Sequence, residues 1–438
     1  MTRLPALRLT SLALVSILGL SACADAGSGA GDGGETLAGS ASDATPVPDC
    51  EVPASQETIP SDFWGMHLNS PLGPTFPDAP IGSVNLTTAA TYWRSVERTE
   101  GDYDFARLDA IAETAQERDA RPLLVLGQTP AFHSQTPGSR TAHATMPDLE
   151  AWEAWVTAVV QRYGDQFDYQ IWPEPNISGN WEGTPQEMAE LTVTAGRIIE
   201  AQAPAAVVIA PATTLRLAGQ RAWMEEFWAS EVDGTPVADA VDVAAIDPYP
   251  LEDGTPEDGL DLVCDAQAIL DEQGVDKPVW DVEINYGVPS GGGATDVQQY
   301  PEGQQAAYVA RTYVLQAAAG LDRVYWLGWA QYPGMAIAMV EEDGTTPNSA
   351  AAAFEAVHGW LDGRARPTCT TSEGLYTCEV PADDSGPAIK ILWHGEGTTT
   401  VLAPDGATEI LSVDGSSEPV AEGDEVAVDD TPVAVVSN

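Results

Sequence analysis

Between residues 63 and 329, short apolar runs alternate with longer stretches whose apolar positions recur every three or four residues. The runs are FWGMHLN (63–69), SVNLTT (83–88), RPLLVLGQ (121–128), YQIWPEP (169–175), AAVVIAPATT (205–214), VDVAAIDPY (241–249), KPVWDVEINYG (277–287) and DRVYWLGW (322–329). Short, nearly continuous apolar runs suit strands buried on both faces, and the intervening period suits amphipathic helices. DLEAWEAWVTAVVQRYG and TPQEMAELTVTAGRIIEAQAP are clear helical stretches, with Asp148 and Thr184 placed to cap them. Eight strands alternating with helices predict an α/β fold, a (β/α)8 TIM barrel over residues 50–364. A doubly wound open sheet is the competing arrangement. No glycine-rich phosphate loop follows the first run, which disfavours it.

The texture changes after residue 364. CTTSEGLYTCEV, AIKILWHG, TTTVLAP, TEILSV and EVAVDDTPVAVVSN are short runs split by Gly, Asp and Pro. They predict a small antiparallel, sandwich-like β domain over 365–438. Its expected role is to cover one side of the barrel. Trp393, one aromatic on a strand, suits packing better than sugar binding.

The other end of the chain has the layout of a secretory signal. Arg3 and Arg8 precede LTSLALVSILGL, and LSAC follows at 20–23. The apolar run falls short of the ~20 residues that a membrane-spanning helix needs. The ending resembles the bacterial lipoprotein box, which implies cleavage before Cys23 and lipid attachment to it. Residues 1–23 are thus expected to be a signal segment. Residues 24–49, rich in Gly, Ala, Ser and Asp, are expected to be a flexible tether that cannot bury enough surface to order itself. The protein is expected to be exported and lipid-anchored at the outer face of a bacterial cell membrane.

Export favours disulfides. Cys50, Cys264, Cys369 and Cys378 allow three pairings. Cys369 and Cys378 are close enough in sequence to close a hairpin, which would leave Cys50 with Cys264. No cysteine–histidine cluster has metal-ligand spacing, so neither metal nor cofactor is expected. The 438 residues include 67 Asp and Glu against 18 Lys and Arg, a net charge of -49. Phosphate would be repelled, which excludes nucleic acid as a partner and makes an anionic membrane surface a poor one. The acidity suits a solvated surface, and the chain is expected to be a monomer.

Two carboxylates carry the candidate chemistry. Glu174 ends the fourth run between Pro173 and Pro175, and Glu283 lies near the end of the seventh. In a closed barrel both belong to the C-terminal rim, where catalytic groups gather. A pair of carboxyls about 5–5.5 Å apart is the apparatus of a retaining glycosidase. Trp329, at the end of the eighth run, is placed to stack on a sugar ring, and His133 lies on the loop after the third.

The phrases IPSDFWGMHLN, YDFARLDAI, LLVLGQTP, IWPEPN, KPVWDVEINYG, QAAYVARTYVLQAAAGLDRVYW and GTTPNSAAAAFEAVHGWL carry a family likeness. Over roughly residues 60–360 the chain resembles the clan A glycoside hydrolases, closest to actinobacterial members near family thirty-nine. The resemblance implies Glu174 as acid/base, Glu283 as nucleophile and Tyr249 as hydrogen-bond partner of Glu283, acting on a β-linked oligo- or polysaccharide. His67, Asn85, Asn176, Trp181, Asp247, Tyr249 and Trp329 are the expected substrate-binding residues.

The departures are equally specific. Pro173 stands where the family usually has Asn before the acid Glu, and proline has no side-chain donor for a sugar hydroxyl. Asn85 stands where Arg usually keeps the nucleophile ionised. Asp247 stands for the usual His of strand six, and Asn69 for a second His in strand one. Two expectations follow: a glycosidase with a rebuilt site, or a catalytically silent barrel that binds glycan or serves as a surface interaction protein.

Overall fold

The computed structural model describes residues 44–289 and 297–438. The expected signal segment, Cys23 and most of the expected tether lie outside the described residues. The eight barrel strands are β1 (Trp64–His67), β2 (Ser83–Asn85), β3 (Arg121–Val125), β4 (Asp168–Gln170), β5 in two pieces (Val208–Ile209 and Thr213–Thr214), β6 (Ala244–Asp247), β7 (Val279–Ile284) and β8 (Val324–Trp326). Each pairs in parallel with its sequence neighbour, and β8 pairs with β1. Pro211 interrupts β5 because it cannot donate to the ladder. Ile209 nevertheless bridges Val243, just ahead of β6, and the ring closes.

Outer helices such as Leu149–Tyr163 and Pro185–Gln202 follow the strands, although residues 68–82, between β1 and β2, hold only a short 3-10 turn. Asp148 accepts from Ala151 N at the start of the first helix. Thr184 and Glu187 form a reciprocal capping box at the start of the second. Two packed layers result: branched aliphatic and aromatic residues such as Leu123, Val125, Ile209, Val282 and Tyr325 fill the barrel's interior, and the helices seal its outside.

The N-terminal end of the barrel is locked by charge. Asp168, fully buried at the start of β4, is paired with Arg121 and, at 2.6 Å, with Arg323. Arg323 also pairs with Asp62 and lies 4.0 Å from the centre of the Trp280 ring. Buried Asp168 and Arg323 and their half-exposed partners satisfy one another far from the rim, which leaves the opposite end free for chemistry.

The C-terminal sheet has seven strands, with a two-stranded sheet, Thr399–Leu402 and Glu425–Val428, packed over it through Leu392, Ile410, Val426 and Val435. Its first strand corrects the tether boundary. Thr45–Val47 pairs antiparallel with Thr368–Ser372, so ordered structure begins before residue 49. The three residues gain a ladder from an open sheet edge, a partner that local composition does not reveal. Cys50 is bonded to Cys264, and Cys369 to Cys378 across adjacent strands. Trp393 is fully buried and donates its indole N–H to Glu257, which also pairs with Arg311. It ties the small domain to the barrel helices, so its ring is spent on packing.

Candidate active site

The site is built on the C-terminal ends of the barrel strands. His67, Asn85 and Asp247 are the last residues of β1, β2 and β6, and Glu283 is the penultimate residue of β7. The β4 ladder stops at Gln170, so Pro173 falls past the strand end, where its missing N–H costs no ladder bond.

Glu174 adopts a left-handed backbone, with φ of 39°. That conformation is unusual for a residue with a side chain and is further disfavoured before a proline, so the surrounding contacts must impose it. They are visible. Ile177 N donates to the Glu174 carbonyl at 3.1 Å, closing a turn. The Asn176 side chain donates to the carbonyl of Thr214 at 2.8 Å and accepts from Thr214 N at 3.2 Å, pinning the turn to the end of β5. The Asn180 amide donates to Glu174 Oε2 at 3.0 Å, while its own carbonyl receives the indole N–H of Trp172.

Across the mouth, Tyr249 donates its hydroxyl to Glu283 Oε1 at 2.7 Å. Below, fully buried Asp281 accepts from Glu283 N at 3.1 Å and from the Gln316 amide at 2.6 Å, fixing the backbone that presents Glu283. Glu174 and Glu283 are each partly exposed, as are Tyr92, Arg216 and Tyr332.

The electrostatics are dominated by crowded acids. Burial pushes both glutamates above the ordinary carboxylate range. At Glu174 the charge of Arg216 and the Asn180 hydrogen bond oppose the rise. At Glu283 the charges of Glu174 and Asp281 reinforce it, and the Tyr249 hydrogen bond opposes it. Asp247 is 2% exposed, its Oδ1 has no hydrogen-bond partner, and burial plus the charges of Glu283, Glu174 and Asp281 hold it well above the usual value. Burial and the neighbouring acids bias this carboxyl towards its neutral form, which can donate a hydrogen bond.

Several expected substrate contacts turn out to be spent on the protein itself. Asn85 donates to the Val282 carbonyl at 3.0 Å and accepts from Thr87 N and Oγ1, which commits its oxygen and one of its two N–H groups to the protein. Asn176, as described, is consumed in bracing the Glu174 turn. Trp181 is buried edge-on against Trp172, with its N–H donated to the Thr184 carbonyl at 3.2 Å. In this structure all three make contacts within the protein: a buried polar side chain takes the nearest backbone partner, and a large aromatic takes the core.

His67 bonds the Val282 carbonyl through Nε2 at 2.8 Å, so that nitrogen carries the hydrogen. Its Nδ1 is unpartnered, and burial lowers its pKa to about 4, which leaves the ring neutral. Trp329 lines a cavity of about 400 Å³ with Asn69, Phe76, Asp78 and Thr345, between the loops after β1 and β8. His133 stacks on Trp93 and bonds Glu97 at 3.1 Å.

Arg216, Tyr92, Tyr332, Asn180 and Asp281 were not singled out by the sequence. Arg216 had one available signal: it follows directly on the fifth strand, at the rim, in a chain with few cations.

No protein-family model matches the sequence, and no curated protein matches it. Solved structures do. A family 39 glycoside hydrolase from the gut symbiont Bacteroides cellulosilyticus WH2 superposes with a TM-score of 0.65 at 17% identity, over 87% of this chain and 82% of that one. A glucosidase from Croceicoccus marinus gives 0.61 at 15% identity, over 89% and 98%. A monomeric beta-xylosidase from Caulobacter crescentus CB15 gives 0.61 at 13% identity, over 87% and 97%. The chain has the TIM-barrel fold of glycoside hydrolases, with a C-terminal β domain. At these identities the likeness is one of fold.

Proposed function

We propose that the protein is a retaining glycoside hydrolase that cleaves β-linked sugars by double displacement, exported and lipid-anchored through Cys23. What supports this reading is the placement of Glu174 just past β4 and Glu283 near the end of β7, at the same end of the barrel, with unlike hydrogen-bond partners. Like charges in a shared, desolvated site resist double ionisation, so the pair holds one proton near neutrality. The pair titrates as one unit: Glu174 is pushed up to about 7 and Glu283 to about 8, so burial and charge favour the proton on Glu283, and the reaction requires the other arrangement, with Glu283 ionised against the Tyr249 hydroxyl and the proton on Glu174.

In the first step Glu283 attacks the anomeric carbon while Glu174 gives its proton to the leaving oxygen. In the second, water attacks that carbon, the bond to Glu283 breaks with its electrons returning to the carboxylate, and Glu174 takes the water's proton. Trp329 supports the reading as a stacking surface beside the mouth. The lipid anchor rests on the signal layout alone and is tested by metabolic labelling with a fatty acid, compared with Cys23→Ala. Hydrolysis is tested with a panel of aryl β-glycosides and plant or bacterial oligosaccharides: turnover by the native protein that Glu283→Ala abolishes supports the proposal.

A glycan-binding barrel without turnover is favoured by two features, the lack of a donor at Pro173 and the commitment of Asn85 to backbone. Heat of glycan binding unchanged in Glu174→Gln, with no hydrolysis across the panel, would establish that reading instead.

A further inference from the structure

The cavity of about 400 Å³ that Trp329 lines, between the loops after β1 and β8, has no part in the steps above. The backbone fixes where it lies. Leu327 N donates to the carbonyl of Ile284, the residue after Glu283, at 2.9 Å, and Trp329 N donates to the carbonyl of His67 at 3.2 Å. In a regular strand two such residues, i and i+2, would donate to the same neighbour. Gly328 lies between them with φ of 96°, a left-handed conformation that glycine adopts freely, and turns the chain from β7 to β1. Two residues span at most about 7 Å. Trp329 therefore starts within that distance of the point where β8 touches the residue next to Glu283.

Ring order gives the cavity its direction. Glu174 follows β4, and β8 stands four strands away in a ring of eight, on the opposite side. A leaving group must lie towards the acid that protonates its oxygen. The sugar that stays on Glu283, and anything attached beyond it, extends the other way, towards β8 and β1. The lining suits an uncharged sugar. Trp329 is half-buried and supplies an indole, while exposed Asn69 and Thr345 supply an amide and a hydroxyl. The volume falls in the range of about 300–1,000 Å³ usual for small-ligand sites.

We propose that this cavity is a second glycone subsite, one sugar beyond the reacting one, so that the substrate presents at least two β-linked sugars on the side that Glu283 retains. This rests on the glycosidase reading and sharpens it: the enzyme releases a disaccharide or a longer glycone and does not trim single sugars. Binding energy gained at a remote sugar helps to hold the reacting one in place, so a substrate cut down to one sugar loses rate as well as affinity.

The test compares p-nitrophenyl β-cellobioside, β-xylobioside and β-mannobioside with the matching monosaccharide glycosides. For at least one pair kcat/KM should favour the disaccharide by about tenfold or more, and the first sugar released with nitrophenol should be the intact disaccharide. Thr345→Trp, a change at an exposed position, fills the cavity and should bring the ratio of the two kcat/KM values close to one. Should that variant not fold, Trp329→Ala, which removes the indole, decides in its place with the same expected result.

Equal kcat/KM for monosaccharide and disaccharide in native protein overturns the proposal. So does a monosaccharide as the first product from every disaccharide, or an undiminished ratio in the folded variant. The two readings fail separately. If native protein turns over none of the glycosides, hydrolysis is refuted, and calorimetry with cellobiose, xylobiose and mannobiose decides the subsite. Binding that the variant abolishes upholds it, whereas no binding, or binding that the variant retains, overturns it.

Discussion

The hydroxyl of Tyr249 lies 2.7 Å from Oε1 of Glu283, joining the end of β6 to the end of β7. The contact points a neutral donor at a carboxylate that burial and neighbouring charges otherwise push towards its protonated form. Tyr249→Phe should therefore raise the pKa of Glu283. A hydrogen bond to a charged group contributes about 1.5–3 kcal/mol, so kcat/KM at neutral pH should fall by about tenfold or more. Steady-state kinetics of the variant check this, and an unchanged acidic limb of the pH profile would show that the contact does not tune the nucleophile.

The pH profile of the native enzyme should be displaced upwards. Both glutamates lie above the ordinary carboxylate value of 4.5 through burial, and the active form carries one proton on the pair. Activity should rise as the pair loses its first proton and fall as it loses its second, with both limbs of kcat/KM above the range of exposed carboxylates. A plateau reached already at pH 5 would contradict this.

Asp247 should cost stability. Its folded-state pKa is raised well above 3.8. A carboxyl shifted in that direction contributes fully below its unfolded value, and that contribution is lost as pH rises towards the folded value. Asp247→Asn keeps the shape and removes the titration. Its melting temperature should exceed that of the native protein by a few degrees at pH 7–8, with the difference shrinking below pH 4. Thermal melts across pH measure it, and a variant less stable at pH 8 would refute the assignment.

The bond between Cys50 and Cys264 spans 214 residues and fastens the chain just after Thr45–Val47 to the barrel helix Pro256–Glu272. Chain-entropy reasoning sets its contribution at up to about 5 kcal/mol. The Cys50→Ala, Cys264→Ala double variant should unfold at lower denaturant concentration, whereas loss of Cys369–Cys378, which closes a separation of 9, should matter less.

The sequence made some of these features readable and hid others for definable reasons. Glu174 and Glu283 were visible because strand ends are marked by local apolar runs, and Asp148 and Thr184 because caps are local chemistry. Arg216 was hidden because its partners, the carbonyls of Pro250 and Val288, are near only in three dimensions. Asn85 and Asn176 looked like sugar contacts for the same reason: nothing in their neighbourhood discloses that Val282 and Thr214 occupy their amides. Thr45–Val47 resembled tether because three residues carry too little pattern to announce an edge strand.

The most direct measurement is to incubate the protein with a 2-deoxy-2-fluoro β-glycoside bearing a good leaving group and map the adduct by peptide mass spectrometry. Slowed breakdown should leave one sugar on the peptide containing Glu283, and none in Glu283→Ala. An adduct on any other residue, or hydrolysis of the parent glycoside by Glu283→Ala at the native rate, would contradict the account.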